Sequence, residues 1–182
     1  MAYNYRDIPQ IVREILAAKA EDGGVKNIYF VGCGGSLGAL YPAKVFVERE
    51  SLGLKTGWIN SNEFVHSTPR DFGKNSVLCV ACHAGNTPET VAAAKLGKES
   101  GAAVVLLTYQ EESEIAAFAD YLLLYPFDSS SSAHTGDMDY AGEKTQCALQ
   151  LAVELVNDTE GYAHYDAFYQ GVERIGGIIR KA

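Results

Sequence analysis

The residues best suited to chemistry in this 182-residue chain lie where a hydrophobic segment, residues 76–81, passes into a polar turn. The segment has the composition of a buried strand, and Pro88 suits the first turn of a helix, where the N–H that proline lacks is not needed. Gly85 lets the backbone turn tightly without a Cβ clash. Backbone N–H groups at the positive end of that helix would favour an anion such as a phosphate ester.

Polar side chains of the same turn could complete the site. Asn86 or Thr87 can cap the exposed amides of the helix, and Glu89 could reach back as the second half of a capping box. The alternative is a plain strand-to-helix turn of an α/β domain that binds nothing.

A second stretch repeats this pattern nearer the start of the chain. Residues 27–31 have the composition of a buried strand, and a glycine-rich run, residues 32–36, ends in the hydroxyl of Ser36. It is neither a dinucleotide fingerprint nor a Walker loop, because no Gly-Lys-Ser/Thr follows. Two such loops, each after a parallel strand, would meet at the carboxyl edge of one sheet, where open α/β sheets bind ligands.

Together, residues 30–36 and 84–90 resemble the two loops of a sugar isomerase (SIS) domain. More narrowly, the chain is similar to the first SIS domain of the fructosamine (fructoselysine or glucoselysine) 6-phosphate deglycases, which are related to the isomerase half of glucosamine-6-phosphate synthase. The resemblance extends from about residue 5 to residue 182. It implies that a sugar phosphate is gripped by the following residues: Ser36, Cys82, His83, Ala84, Gly85, Asn86 and Thr87.

The chain departs from the resembled family at two of these positions. The usual second loop resembles Ser-x-Ser-Gly-x-Thr, whereas Cys82 and Ala84 stand where the serines would be. A hydrogen bond to a charged group contributes about 1.5–3 kcal/mol, so the loss of two hydroxyl donors should weaken phosphate binding. His83 could offset that loss if its side chain is protonated.

Glu50 and His66 are the candidate catalytic residues, again through the resemblance. A catalytic glutamate and histidine of the second SIS domain in those enzymes stand sixteen positions apart, the spacing that Glu50 and His66 have here. The carboxylate could move a proton between C1 and C2 of the sugar, and the histidine could assist at the ring oxygen or the C2 nitrogen. The alternative is a solvent-facing pair that marks an ancestral repeat.

Composition and charge limit the possible partners. The apolar and charged shares, 47% and 21%, are those of an ordinary globular domain. A net charge of −8 without a basic cluster argues against nucleic acid. The chain shows no signal peptide or transmembrane run, which predicts a cytoplasmic protein that does not enter a membrane.

The four cysteines are Cys33, Cys79, Cys82 and Cys147. The C-x-x-C spacing of Cys79 and Cys82 could indicate redox or metal chemistry, but the strand between them favours two small buried side chains. No residue set has the spacing of metal ligands, so the sequence predicts no metal. The serine-rich stretch at residues 127–137 is predicted to be a mobile loop, with a lid over the site as the alternative.

Five predicted strands alternate with helices, which indicates an α/β three-layer sandwich with a parallel sheet. The resemblance implies a flavodoxin-like strand order, 2-1-3-4-5. We expect Pro42 to interrupt or kink the helix at 37–50, and residues 61–66 to form a loop. Apolar helices predicted at 140–157 and 165–181 suggest a homodimer or a larger oligomer.

The expected function follows from the resemblance. Residues 1–182 would be a single SIS domain, the N-terminal half of a two-SIS-domain deglycase that releases glucose 6-phosphate and an amino acid. The proton shift and hydrolysis need no cofactor, and the chain alone should be weakly active or inactive. The alternatives are a non-catalytic module that senses a sugar phosphate and an aldose–ketose phosphosugar isomerase.

Overall fold

The computed structural model of this chain describes residues 2–125 and 137–171, with side chains from residue 144 onward in the second range. All but the last residue of the predicted serine-rich loop lies outside the described residues. So do residues 172–181 of the predicted C-terminal helix, whose first part, residues 165–171, is helical.

A parallel sheet forms the centre of the fold, with the strand order β1-β6-β5-β4-β2-β3. The strands are β1 Ala2–Tyr3, β2 Asn27–Gly32, β3 Lys55–Asn60, β4 Ser76–Ala81, β5 Ala103–Thr108 and β6 Tyr121–Leu124. The α-helices are α1 Ile8–Lys19, α2 Gly34–Glu50, α3 Ser61–His66, α4 Pro88–Glu99 and α5 Asp137–Glu160, and 3₁₀ turns lie at Tyr5–Asp7, Ala20–Asp22 and Glu114–Phe118.

The predicted fold class is confirmed, but the strand count of five is wrong. Without β1, the remaining strands have the order 2-1-3-4-5 that the resemblance implied. The additional strand β1 pairs with β6, Ala2 opposite Leu122. Two residues are too few to give a periodic signal in a sequence, so this strand is defined by its neighbour in the sheet.

Helices cover both faces of the sheet and create two apolar layers. Every residue of β2, β4 and β5 is buried, which explains their continuous apolar sequences. One layer packs α1, α2 and α5 against the sheet, and the other packs α3, α4 and the third 3₁₀ turn against it. None of the described helices is long and apolar enough to cross a membrane.

Two local predictions are wrong: an interruption of α2 at Pro42 and a loop at residues 61–66. Helix α2 continues through Pro42. Proline has no N–H, so the Gly38 carbonyl loses its helical hydrogen-bond partner. Pro42 and Gly38 are both exposed, and water can therefore satisfy that carbonyl. Residues 61–66 form a short helix instead of a loop. Asn60 caps it by accepting a hydrogen bond from the Asn62 amide at 3.0 Å, and Phe64 anchors it in the core.

Candidate functional site

The two predicted loops lie side by side at the carboxyl edge of the sheet. Strands β2 and β4 are neighbours, and their last paired residues are Gly32 and Ala81. The chain leaves β2 toward β3 on one side and leaves β4 toward β5 on the other. This reversal of strand order is the topological switch point at which ligands bind in open α/β sheets.

The first loop brings the start of α2 to this edge. Gly34 has a φ of +53°, which a residue with a side chain adopts only at a cost. Cys33 precedes the helix without a side-chain capping bond, and the Ser36 amide donates to the Cys33 carbonyl at 3.1 Å. Ser36, half-buried, therefore lies in the first turn of α2.

Lys144 on α5 is a site residue that the sequence analysis missed. Its side chain is 1% exposed, and its Nζ donates to the Ser36 hydroxyl at 3.0 Å. The Nζ also lies 5.2 Å from the centre of the Tyr125 ring. Burial lowers the pKa of Lys144 to about 8. The sequence did contain a signal, because this lysine begins a core stripe that continues at Cys147, Ala148 and Leu151.

The second loop is held by backbone contacts to the neighbouring strand and turn. The Cys82 amide donates to the Leu107 carbonyl at 3.0 Å, and the Cys82 side chain is 2% exposed. Gly85 has a φ of +71°, and its carbonyl accepts from the Ile115 amide at 3.2 Å. Ala84 is half-buried and Asn86 is exposed.

Thr87 occupies the N-cap position of α4, but the capping box predicted from the sequence does not form. The Thr87 carbonyl accepts from the amides of Thr90 and Val91, each at 2.9 Å, whereas its side chain makes no capping hydrogen bond. The Thr87 hydroxyl is thus not engaged by the amides at the start of α4. A hydroxyl at this position can serve an anion bound by those amides.

The His83 side chain packs in an aromatic cluster behind the loop. Its Nδ1 is 2.9 Å from the Tyr125 hydroxyl, and its ring centre is 4.6 Å from that of Tyr109. The His83 carbonyl accepts from the Thr108 hydroxyl at 2.8 Å. A protonated His83 is, on the sequence alone, one way to offset the missing hydroxyls; the structure places the ammonium group of Lys144 at the Ser36 hydroxyl.

Glu50 and His66 are exposed residues at the ends of α2 and α3. Glu50 is fourteen residues beyond Ser36, which at the rise of an α-helix is roughly 21 Å along the axis. Burial and the Glu50 charge raise the pKa of Tyr162, so Glu50 lies near Tyr162. Within one chain, Glu50 is therefore remote from a ligand held at Ser36, and its catalytic role stays a prediction.

The cysteines of the C-x-x-C spacing point to opposite faces of the sheet. Cys79 packs in the layer of α1, α2 and α5, and Cys82 packs in the layer of α3 and α4. Both are buried, as predicted, and burial raises the pKa of Cys79. The described part of the chain contains no group of three or more His, Cys, Asp or Glu side chains that could hold a metal ion.

A cavity of about 300 Å³ lies at the opposite edge of the sheet. Its lining includes the start of β5 and the ion pair between Lys98 and Asp120. Lys19 also lines it and donates to the Gly101 carbonyl. This cavity is separate from the two loops, which lie at the carboxyl edge.

Comparison with known proteins links this geometry to phosphosugar enzymes. No family model matches the chain. A fructosamine deglycase of Bacillus subtilis, FrlB, is 29% identical over 158 residues, which cover 87% of this chain and 46% of that protein. The chain thus spans about half the length of this relative.

Solved structures show the same relationship. A Salmonella typhimurium protein assigned to the phosphosugar isomerases superposes with a TM-score of 0.79 at 40% identity, covering 91% of this chain and 47% of that one. The C-terminal domain of glucosamine-fructose-6-phosphate aminotransferase from Francisella tularensis matches with a TM-score of 0.69 at 14% identity, over 94% of this chain and 52% of that one. The SIS fold and the resemblance found in the sequence are confirmed.

Proposed function

We propose that this chain is the phosphosugar-binding SIS domain of a fructosamine 6-phosphate deglycase. The whole enzyme would release glucose 6-phosphate and an amino acid from a sugar–amino acid adduct. The observation that carries the proposal is the meeting of two anion-binding loops at one sheet edge, with the Lys144 ammonium at the Ser36 hydroxyl. The 29% identity to a fructosamine deglycase supports the reaction class.

The electrostatics of the two loops suit a phosphate group. Helices α2 and α4 both begin at this edge, so the positive ends of both helix dipoles lie there. Lys144 adds a charge that is nearly excluded from water, which strengthens its attraction to an anion. A chain with a net charge of −8 must build its anion site from local groups of this kind.

The roles of the predicted residues differ with their surroundings. Ser36 and Thr87 would donate from hydroxyls, each in or next to the first turn of its helix. Cys82, His83 and Ala84 would contribute through the backbone of the second loop. Gly85 sets the turn, and Asn86 lies at the exposed rim.

The reaction requires more than one binding domain. A proton must move between C1 and C2 of the sugar before the amine is released, and its base must lie within hydrogen-bond reach of that proton. Glu50, roughly 21 Å from Ser36 along α2, would lie beyond that reach within one chain. The catalytic pair would therefore come from a second SIS domain, in a longer protein of which this chain is the N-terminal half, or from a second copy.

The binding step is tested by titration calorimetry with glucose 6-phosphate, fructose 6-phosphate and inorganic phosphate. Replacing Thr87 with Ala should weaken sugar-phosphate binding and leave the fold intact, whereas Thr159→Ala, at the far end of α5, should bind as the parent does. Equal affinity of Thr87→Ala and the parent chain would remove the second loop from the site.

A second candidate function is an aldose–ketose phosphosugar isomerase. It is favoured by the 40% identity to the Salmonella typhimurium protein. Isomerisation and deglycation share the proton shift between C1 and C2, and they differ in whether an amine leaves. Assays for interconversion of glucose 6-phosphate and fructose 6-phosphate, and for amino acid release, separate the two. Binding without either activity in the full-length protein would indicate the sensing module instead.

A further inference from the structure

Each of the two loops carries a cysteine at the same level of the sheet. Cys33 and Cys82 are the residues that directly follow the last paired positions, Gly32 and Ala81. Cys33 is extended, with φ −125° and ψ 145°, and the Cys82 amide continues the hydrogen-bond ladder to β5 through the Leu107 carbonyl. The two cysteines are therefore the next neighbours in register.

The two thiols also point to the same face. Cys82 packs with Val31 and Val80, the residues two positions before each cysteine, in the layer of α3 and α4. The Cys33 Sγ is 3.6 Å from the hydroxyl of Thr90 on α4, which places it on that same side. Neighbouring strands are about 4.8 Å apart, which falls within the Cα–Cα range of disulfides, about 4.4–6.8 Å.

The four cysteines differ in their exposure to solvent. Cys33 is half-buried and thus partly accessible to a small oxidant, whereas its neighbour Cys82 is 2% exposed. Cys79 and Cys147 are buried in the other layer, on the far side of the sheet. An oxidant from solvent would thus reach Cys33 first, and the thiol nearest to it in register is Cys82.

We propose that Cys33 and Cys82 form a reversible disulfide that links the two loops. Hydrogen peroxide supplies the oxidising equivalents. The Cys33 thiolate attacks one peroxide oxygen, the O–O bond breaks, and the hydroxide that leaves takes up the proton released by this thiol, which gives a sulfenic acid and water. The Cys82 thiolate then attacks this sulfur, the S–S bond forms, the S–O bond breaks, and the hydroxide that leaves takes up the proton released by the Cys82 thiol to give a second water. Two thiols lose two electrons, and hydrogen peroxide becomes two waters.

The disulfide would couple oxidation to the anion site. It would pull the turn before α2 toward the second loop and shift the backbone amides that both loops present. The resembled family has a serine where Cys82 stands, and a hydroxyl cannot form this bond. The effect on sugar-phosphate affinity depends on the proposed function, but formation of the bond does not.

The experiment treats the chain with hydrogen peroxide and maps its peptides by mass spectrometry without reduction. We expect a Cys33–Cys82 cross-linked peptide whose mass is two hydrogens lower than the sum of the two reduced peptides. This peptide should disappear after treatment with dithiothreitol. Cys82→Ser and Cys33→Ser should abolish it, and Cys147→Ser should not. Absence of the peptide in the parent chain, a different cysteine pair, or only the sulfinic acid of Cys33 would overturn the proposal.

A second experiment measures how the disulfide affects the affinity for a sugar phosphate. Glucose 6-phosphate is titrated into the reduced, oxidised and re-reduced chain. Affinity that falls on oxidation and returns on reduction supports the coupling, and affinity unchanged by a confirmed disulfide refutes it. If even the reduced chain fails to bind while the disulfide forms, the proposed function fails and the disulfide stands.

Discussion

At the level of single residues, Lys144 combines near-complete burial with a contact to the first loop. Burial takes its ammonium group out of water and lowers the pKa of Lys144 to about 8. Its Nζ donates to the Ser36 hydroxyl at the start of α2. An anion bound at the proposed site would lie beside this ammonium group.

The pKa of Lys144 predicts a pH dependence of binding. The lysine is charged below pH 8 and loses its proton as the pH rises through that value. A sugar phosphate is already a dianion above pH 7, since its second pKa is about 6. Affinity for glucose 6-phosphate should therefore fall between pH 7 and pH 9, and Lys144→Met should bind weakly with no such step.

Calorimetry at a series of pH values measures this effect. Lys19→Met, which changes a lysine at the opposite edge of the sheet, serves as the matched control and should keep the parent profile. A flat profile for the parent chain would mean that the Lys144 charge does not contribute to binding.

Gly85 gives a second prediction at this scale, with Gly34 as its matched control. Both have positive φ, so alanine at either position should cost about 1–2 kcal/mol of unfolding free energy. A Cβ at Gly85 would also lie 2.4 Å from the Ser113 Cβ, whereas one at Gly34 meets nothing within 4 Å. Overpacking adds about 1–3 kcal/mol, so Gly85→Ala should lose more than Gly34→Ala in urea unfolding. Equal losses would contradict the close approach at Ser113.

Among the elements, α5 joins the site to the end of the described chain. Its Lys144 reaches the first loop, and its Glu154, 1% exposed, accepts hydrogen bonds from Tyr165 and Tyr169. The Tyr165 hydroxyl lies 2.7 Å from the Glu154 Oε1. These tyrosines hold the helical segment 165–171 against α5 through a buried carboxylate.

The two tyrosines should report on this contact when they are titrated. Burial, followed by the Glu154 hydrogen bond and charge, raises the pKa of Tyr165 to about 12 and also raises that of Tyr169. Glu154→Gln removes the negative charge and keeps the shape, so both tyrosines should ionise at lower pH. Ultraviolet difference absorption measures the shift, with Tyr165→Phe and Tyr169→Phe assigning each step. An unchanged titration curve would refute the link.

For the whole molecule, we predict self-association to at least a dimer. The apolar positions of α5 that suggested this, including Leu151 and Leu155, are buried in the chain's own core. Among the described residues, large apolar side chains are exposed at Tyr5 and, on the β3 side of the sheet, at Tyr41, Leu52 and Trp58. Sedimentation equilibrium over a dilution series tests the prediction, and a monomer at high micromolar concentration would contradict it.

The whole molecule also decides whether this chain is active. We expect little or no release of glucose 6-phosphate from a fructosamine 6-phosphate, because Glu50 lies far from Ser36 in the same chain. The assay compares the parent chain with Glu50→Gln. Robust turnover that Glu50→Gln abolishes would show that two copies of this chain build a complete site.

The sequence by itself determined five of the six described strands, their alternation with the longer helices, and the two loops. Continuous apolar runs such as residues 76–81 are local signals, and so are the glycines at the two turns and Pro88 at the start of α4. Such signals act within a few residues, which is why β4 has its predicted bounds. The loops then had to meet, because parallel strands place their carboxyl ends at one edge.

Only the tertiary structure decided which side chains lie at the carboxyl edge of the sheet. Lys144 is 108 positions from Ser36 along the chain, and no local pattern links them. The same holds for the pairing of β1 with β6 and for the contacts of His83 with tyrosines from later segments. Helix α2 tolerates Pro42 because that turn faces solvent. Contacts between residues distant in sequence depend on how whole elements pack, and packing is a property of the folded chain.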